Sequence, residues 1–295
     1  MPLHPAATVR RVHTGGVELE IAEAGQGGRP LLLVHGFAGA KEDFGDWWDE
    51  LAERGWHVVA LDLRGHGASD HPPRHDDYSL EIFEADVVAL VDELGWDHFV
   101  ILGHSMGGMI AQDLALHRRD RLEAIVLMDT VPGPPTVSGG RVLTSFMKLM
   151  TRPAGRTLMA RLVRKPPPRS PASVRRLYAH RPGYADWLQA KALATSPVMA
   201  RAMLSQLGDR PDRLSALGAL DLPVLLIAGE HDLPGFADAT RAMASAIPGA
   251  ELAILDGAAH SPQLETPDLW WSAVSGFLDA LPTARTRRPD LEGSP

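Results

Sequence analysis

The 295-residue chain contains no cysteine. This absence excludes disulfide bonds, a thiol nucleophile and any zinc site with cysteine ligands. It suits a reducing compartment, and the first residues show no positively charged start followed by an apolar core. We therefore expect a cytoplasmic protein without a secretory signal peptide. No stretch of 18 or more apolar residues occurs, which predicts no transmembrane helix.

Aromatic residues are also scarce, at 6% of the chain, whereas 45% of the residues are hydrophobic and 22% are charged, an ordinary globular composition. The formal net charge of -8 hides an asymmetry, because residues 132–213 hold 15 lysines and arginines against 3 aspartates and glutamates. That stretch contains no recognised nucleic-acid-binding motif. We therefore expect solvated arginine-rich helix faces, and neither nucleic acid nor a membrane as a partner.

Short apolar runs alternate with amphipathic helical patterns along most of the chain. A weak strand at 17–22 precedes stronger ones at 31–34, 57–61, 99–102, 125–128, 224–227 and 250–255. Helical patterns cover 43–54, 80–94, 106–117 and 267–281, and Ser79 is a plausible N-cap of the second. Alternation of this kind predicts an α/β fold with a mostly parallel central sheet and helices on both faces. The alternation stops between residues 132 and 220, where helical patterns occur without strands.

The most specific pattern is Gly103-His104-Ser105-Met106-Gly107. It lies between the predicted strand at 99–102 and a helical pattern that begins directly after it. This context is typical of a nucleophile elbow, a strained turn that exposes its central side chain. Gly103 and Gly107 leave room for the turn, and the N–H groups at a helix N-terminus favour developing negative charge. Ser105 is therefore the candidate nucleophile.

A series of landmarks in a fixed order resembles the α/β-hydrolase family. They lie within residues 31–280 and read His35-Gly36-Phe37, Arg64-Gly65-His66-Gly67-Ala68-Ser69, Gly103-His104-Ser105-Met106-Gly107-Gly108, Gly229-Glu230-His231-Asp232 and His260. The resemblance implies an α/β-hydrolase fold, with an inserted helical lid that chooses the substrate. We expect the core at 1–131 and 221–281, the lid at 132–220 and a polar tail at 282–295.

Serine members of this family carry the nucleophile, an acid and a histidine in that order along the chain. The resemblance therefore implies His260 as the general base, in the loop after the last predicted strand. It implies Asp232, which follows the strand at 224–227, as the acid that orients the imidazole. Asp129 is the alternative acid, because it directly follows the strand at 125–128 and some relatives take the acid from that position.

The resemblance also implies an oxyanion hole, in which preorganised donors hold the negative charge of the intermediate. Its donors would be the backbone N–H groups of Phe37 and Met106. Four further polar residues are expected to brace the loops around the site or pack beside it without transferring protons: His35, Arg64, His66 and His104.

A serine at the elbow argues against halide displacement and epoxide opening, because relatives with those activities use a carboxylate there. Acyl transfer through an acyl-enzyme remains. The resemblance thus implies a serine hydrolase that cleaves a carboxylic ester or a lactone. Two alternatives stay open, namely hydrolysis of a carbon–carbon bond in a β-diketone-like acid and a slow-turnover ligand receptor on the same fold.

A lid buries its inner face over the site, and the predicted lid carries many apolar side chains. We expect Phe146, Met150 and Trp187 to line the pocket, and the substrate to be a small to medium, mostly apolar ester or lactone. No cofactor and no metal are implied, and the oligomeric state stays open. One loose group of possible metal ligands is better explained as a solvated loop: His71, His75, Asp76 and Asp77.

Overall fold

Residues 7–44, 46–134 and 151–282 are described by a computed structural model, and their strands form one sheet. The strands are β1 (Thr8–Thr14), β2 (Val17–Ala24), β3 (Arg29–Val34), β4 (Trp56–Leu61), β5 (Phe99–His104), β6 (Leu122–Met128), β7 (Val224–Gly229) and β8 (Glu251–Leu255). Their order across the sheet is β1-β2-β4-β3-β5-β6-β7-β8. The pairs β1–β2 and β2–β4 are antiparallel, and all the others are parallel. The predicted mostly parallel sheet is confirmed.

Helices cover both faces of this sheet. The described helices are α1 (Trp48–Glu53), α2 (Leu80–Glu93), α3 (Met106–His117), α4 (Pro153–Leu162), α5 (Ala172–His180), α6 (Tyr184–Leu193), α7 (Pro197–Asp209), α8 (Leu214–Leu217), α9 (Phe236–Ala246), α10 (Pro262–Glu265) and α11 (Pro267–Ala280). Successive side chains of a strand point to opposite faces. Accordingly, Ile101 of β5 packs in one buried cluster with Phe83 of α2 and Ile110 of α3. Leu102 packs in the other with Trp48 of α1 and Trp270 of α11.

Two local predictions were wrong. Strand β1 was not predicted, because Thr8–Arg11 are exposed and only Val12 and Thr14 of this strand are buried, so no apolar run marks it. The helix predicted at 43–54 is two pieces, a 3-10 helix at Lys41–Phe44 and then α1. By contrast, the predicted cap of α2 is confirmed, since Ser79 Oγ accepts the N–H of Ile82 at 3.1 Å.

Between β6 and β7 the described residues form helices α4 to α8, and two of these helices, α7 and α8, enter the main core. Met199, Met203 and Leu207 of α7 belong to the same buried cluster as the strands. Just before α7, the N–H of Ser196 donates to the carbonyl of Gly65 at 2.8 Å. Helix α7 is therefore part of the core wall as well as of the insert. Among the described helices, none combines the length and the apolar character that crossing a bilayer requires.

A buried arginine joins the exit of this insert to its entrance. The side chain of Arg210 is 2% exposed. Its guanidinium donates to the carbonyl of Pro132 at 2.8 Å and pairs with Asp113 of α3 at 3.1 Å. It also donates to Gln112 Oε1 and to the carbonyl of Met109. Because α3 follows directly from the elbow, this cluster ties the insert to the element that carries the candidate nucleophile.

The variant Arg210→Met is expected to lower the free energy of unfolding by about 3 kcal/mol, because it leaves buried polar groups without their donor. Denaturant unfolding followed by circular dichroism measures the change. The control Arg176→Met replaces an exposed arginine of α5 and is expected to change it by less than about 0.5 kcal/mol. Equal losses in the two variants would show that the Arg210 cluster does not stabilise the fold.

Candidate active site

Ser105 lies on the tight turn between β5 and α3. Its φ of 52° and ψ of -112° put a residue with a side chain in a strained region of backbone space. The turn is held from β6 and the segment after it: the N–H of Ser105 donates to the carbonyl of Met128 at 2.9 Å, and Thr130 Oγ1 donates to the carbonyl of Ser105 at 2.8 Å. Ser105 therefore stands at the N-terminal end of α3, beside the carboxyl edge of the sheet.

Two glycines allow this turn to form. A Cβ atom added at Gly103 would lie 2.3 Å from the carbonyl oxygen of Gly107, and one added at Gly107 would lie 2.2 Å from the carbonyl oxygen of Val34. Interiors are close-packed, and the obstructing atoms belong to the backbone, so a larger residue would force the chain itself to move. The two glycines that the elbow motif contains are thus required by the packing of α3 against β5 and β3.

His260 and Asp232 reach the same edge from the loops after β8 and β7. His260 Nε2 lies 3.1 Å from Ser105 Oγ, and His260 Nδ1 lies 2.5 Å from Asp232 Oδ1. The same Oδ1 accepts the N–H of Leu233 at 2.5 Å. The ring of Phe236 meets the imidazole edge-on, with 5.2 Å between the ring centres. The structure brings together the three side chains that the sequence analysis expects as nucleophile, base and acid.

Opposing influences act on the pKa of His260. Burial lowers it, the carboxylates of Asp232 and Glu265 raise it, and the net result is a pKa above the ordinary imidazole value. Glu265 is a residue that the sequence analysis missed, since nothing in its local pattern distinguishes it. Its carboxylate accepts the N–H of Ala259, next to the base, and burial raises the pKa of its carboxyl.

The two segments that carry the expected oxyanion donors flank Ser105. A Cβ added at Gly36 would lie 2.9 Å from Ser105 Cβ, so the loop after β3 is in contact with the elbow. Phe37 follows directly in this loop. Met106 begins α3, where the first backbone N–H groups have no partner within the helix. The backbone thus brings both segments to the nucleophile, and the oxyanion role of the two N–H groups stays a prediction.

Two buried histidines hold the loop after β3. His35 Nδ1–H donates to the carbonyl of Gly36 at 2.8 Å, and its Nε2 accepts the N–H of Leu63 at 3.1 Å. His66 Nε2 accepts the N–H of Ala38 at 3.3 Å. Burial lowers the pKa of both rings, which favours the neutral form whose bare nitrogen accepts a hydrogen bond. The expected bracing roles of His35 and His66 are confirmed.

The other two expected bracing residues also make specific contacts. Arg64 donates to both carboxylate oxygens of Asp86 at 2.5 Å, which secures the loop after β4 to α2. His104 Nε2–H donates to the backbone carbonyl of His260 at 2.8 Å, so the last residue of β5 holds the loop that carries the base.

Asp129, the alternative acid, lies directly behind Asp232. It is wholly buried, and its Oδ1 accepts the N–H of Gly229 at 2.9 Å. Since His260 Nδ1 pairs with Asp232, the geometry favours Asp232 as the orienting acid. Asp129, Asp232 and His260 also offer possible metal-ligand atoms within 4.8 Å of one another. His260 Nδ1 and Asp232 Oδ1 are already hydrogen-bonded to each other. This pairing suits an imidazole that transfers protons better than it suits a metal site.

Of the three predicted pocket residues, Phe146 and Met150 lie outside the described residues. Trp187 is half-buried on α6, with its ring 4.2 Å from Lys191 Nζ. It packs against a cluster that contains Leu264 of α10, shortly after the His260 loop. This position is close in space to the loop that carries His260, and the pocket role of Trp187 stays a prediction.

The insert also meets the site at Phe37. This side chain packs on a small buried cluster formed by Met159, Ala160, Ala192 and Ala200. An apolar surface contributed by α4, α6 and α7 therefore adjoins the residue that carries one of the expected oxyanion donors.

Residues 29–267 match the family model described as the alpha/beta hydrolase fold, so the chain belongs to this family. Epoxide hydrolase A of Mycobacterium tuberculosis is 36% identical over 131 residues, which are 44% of this chain and 40% of that protein. The chain thus matches less than half the length of that curated relative.

Two further similar proteins align over nearly their whole lengths. One is a putative 2-succinyl-6-hydroxy-2,4-cyclohexadiene-1-carboxylate synthase of Bacillus subtilis, 26% identical over 284 residues, which are 93% of this chain and 99% of that protein. The other is the solved structure of a thermophilic esterase from Thermogutta terrifontis. It aligns with a TM-score of 0.78 and 27% identity over 94% of this chain and 100% of that chain.

The variant Gly107→Ala is expected to lower the free energy of unfolding by about 3 kcal/mol, because its methyl group would collide with the backbone of β3. The control Gly276→Ala lies within α11, where an added Cβ meets nothing within 4 Å. It is expected to raise the free energy of unfolding by about 0.5–1 kcal/mol. Thermal and denaturant unfolding measure both. If Gly107→Ala were as stable to unfolding as Gly276→Ala, close backbone packing would not be the reason for glycine at position 107.

Proposed function

We propose that this protein is a serine hydrolase that cleaves a carboxylic ester or a lactone through an acyl-enzyme on Ser105. The observation that carries the proposal is the continuous hydrogen-bonded chain from Ser105 Oγ to His260 Nε2, and from His260 Nδ1 to Asp232 Oδ1. A serine hydroxyl is a weak nucleophile by itself and needs an adjacent base that a third group orients. The proposal requires neither a metal nor a cofactor.

In the acylation step, Ser105 Oγ attacks the carbonyl carbon while His260 Nε2 takes the hydroxyl proton. The imidazolium that forms is stabilised by the Asp232 carboxylate at Nδ1. Collapse of the tetrahedral intermediate breaks the bond to the alcohol oxygen, which takes the proton from His260 Nε2. The products of this step are the free alcohol, or the opened end of a lactone, and an ester on Ser105.

Hydrolysis of the acyl-enzyme repeats the sequence with water. His260 Nε2 removes a proton from the water as its oxygen attacks the acyl carbon, and the proton then passes to Ser105 Oγ as the acid leaves. In both tetrahedral intermediates the negative oxygen accepts from the N–H groups of Phe37 and Met106. Donors of this kind are among the largest contributors to acyl-transfer catalysis.

The similar proteins support a hydrolase, but they differ in the kind of bond that their names say they cleave. The full-length structural neighbour is named as an esterase. The curated relative from Mycobacterium tuberculosis is named as an epoxide hydrolase and matches only part of this chain. Ser105 favours the first reaction, since the epoxide-opening members of the family place a carboxylate at the elbow. A hydroxyl that can form and release an ester suits acyl transfer.

The substrate is proposed to be a small to medium, mostly apolar ester or lactone held under the helical lid at 132–220. The apolar cluster that meets Phe37 supports this class, because it adjoins the expected oxyanion loop. We propose that Trp187, together with Phe146 and Met150, completes the pocket wall. A cytoplasmic location is part of the same proposal, which the absence of cysteine suits.

The variant Ser105→Ala is expected to reduce kcat for p-nitrophenyl butyrate by about 10⁴-fold or more, because no acyl-enzyme forms without the nucleophile. Steady-state release of p-nitrophenol measures the loss, and Ser205→Ala, at an exposed position of α7, is the matched control. A panel of lactones and β-diketone acids run in parallel separates ester, lactone and carbon–carbon cleavage. A single burst without turnover in the wild type would contradict the enzyme proposal and favour a receptor.

The pH dependence follows from the raised pKa of His260. Only the neutral imidazole accepts the serine proton, so kcat/KM should fall about tenfold per pH unit below that pKa, with a midpoint above the ordinary value of about 6.5. Rates measured across a pH series in buffers of constant ionic strength give the midpoint. An activity plateau that continues down to about pH 4 would rule out His260 as the base.

A further inference from the structure

We propose that Asp129 is a positioning residue that carries a proton and donates it in a hydrogen bond to the orienting acid, Asp232. The effect of this hydrogen bond on catalysis rests on the proposed serine hydrolase function. The hydrogen bond between Asp129 and Asp232 does not. Two buried carboxyl groups, those of Asp129 and Asp232, follow the neighbouring strands β6 and β7, and the proposed mechanism uses only that of Asp232.

Each of the two carboxyl groups has one oxygen that the rest of the described protein satisfies and one that it does not. Asp129 Oδ1 accepts the N–H of Gly229, and Asp232 Oδ1 accepts from Leu233 and from His260. The Oδ2 atoms of both residues are buried and have no other hydrogen-bond partner. The two carboxyl groups approach within 4.8 Å of each other, and a side-chain hydrogen bond to Asp232 is among the causes that raise the pKa of Asp129. One proton placed between the two Oδ2 atoms would satisfy both.

Among the described residues, no lysine or arginine lies within 4.0 Å of either carboxyl group. The nearest basic group to Asp129 is His104, whose Nε2 lies 4.0 Å from Asp129 Oδ2. That nitrogen already donates its hydrogen to the carbonyl of His260, and burial together with His260 lowers the pKa of His104 far below the ordinary value. His104 is therefore neutral. The carboxylates of Asp232 and Glu265 both act on Asp129, and each raises its pKa.

Two adjacent buried carboxylates repel each other, so one of them takes a proton. Burial, and then the neighbouring charge of Asp232, raise the pKa of Asp129 well above its ordinary value. Asp232, by contrast, is hydrogen-bonded to His260. In the proposed mechanism its carboxylate stabilises the imidazolium, which requires Asp232 to be ionised. The division of roles follows from position, because Asp232, and not Asp129, is the carboxyl group hydrogen-bonded to His260 Nδ1.

The protonated side chain gives Asp232 a third donor. Leu233 and His260 hold its Oδ1, and the Asp129 hydroxyl holds its Oδ2, so the carboxylate cannot rotate away from the imidazole. A hydrogen bond to a charged group contributes about 1.5–3 kcal/mol, more than a bond between neutral groups. Asp129 thus acts on the reaction only through the orientation of Asp232 and His260.

The proton is tested by infrared difference spectroscopy on the full-length protein at pH 7 in deuterated buffer. Wild type minus Asp129→Asn should show the C=O band of a protonated carboxylic acid, which the variant lacks. The control, wild type minus Asp268→Asn, removes an exposed carboxylate of α11 and should show only ionised-carboxylate bands. If the Asp129 difference spectrum shows ionised-carboxylate bands instead, the proposal is wrong.

Kinetics test the positioning role separately. Asp129→Asn keeps an acceptor for Gly229 and a donor for Asp232, so kcat should stay within about threefold of wild type, whereas Asp129→Ala should lower it about tenfold with KM unchanged. Asp232→Asn should lower kcat by about 10³-fold or more. If Asp129→Asn lowers kcat as much as Asp232→Asn does, Asp129 is the acid and the proposal is overturned.

The pH profile separates a neutral Asp129 from an ionised one. If Asp129 is protonated, the asparagine replaces one neutral group by another, and the acid limb of kcat/KM stays in place. If it is ionised, the substitution removes a negative charge near His260 and moves that limb to lower pH, which would overturn the proposal. The infrared band does not depend on turnover, so absence of esterase activity with the band present would defeat the proposed function alone.

Discussion

The close approach of the β5–α3 turn to β3 is the constraint on which the rest of the site depends. At Gly107 the backbone of α3 lies so close to the carbonyl of Val34, the last residue of β3, that a methyl group has no room. At Gly36 the loop after β3 contacts the side chain of Ser105. These contacts hold Ser105 in its strained conformation and bring the loop of Phe37 beside it. Close backbone packing thus brings Ser105 and the loop of Phe37 together, which explains why the motif specifies glycine around the serine.

Around this rigid turn, the chain collects three buried or half-buried carboxyl groups near one imidazole. Each receives a backbone N–H: Asp232 from Leu233, Asp129 from Gly229 and Glu265 from Ala259. A backbone donor binds each carboxyl group without introducing a cation that would compete with the imidazole for the Asp232 carboxylate. The result is an imidazole, that of His260, whose pKa is raised and which is held at Nδ1 by one carboxylate and at the residue's backbone carbonyl by His104.

Most of the sheet was predictable from the sequence because its parallel strands are buried on both faces and read as continuous apolar runs. Strand β1 was missed since it lies at the antiparallel edge, where exposed residues alternate with few buried ones. Ser105 was predictable from its local motif, whose meaning depends only on adjacent residues. His260 and Asp232 were placed by resemblance to a family, and Glu265 carries no local signal at all.

By itself, the sequence determined the succession of strands and helices, the strained turn at Ser105 and the absence of any thiol chemistry. These properties depend on neighbouring residues and on composition. Only the tertiary structure showed that Asp232, rather than Asp129, lies against His260 Nδ1, and only it showed that α7 belongs to the core wall. Both aspartates follow strands that end at the same edge of the sheet. Which of them faces the imidazole depends on how loops far apart in the chain pack together.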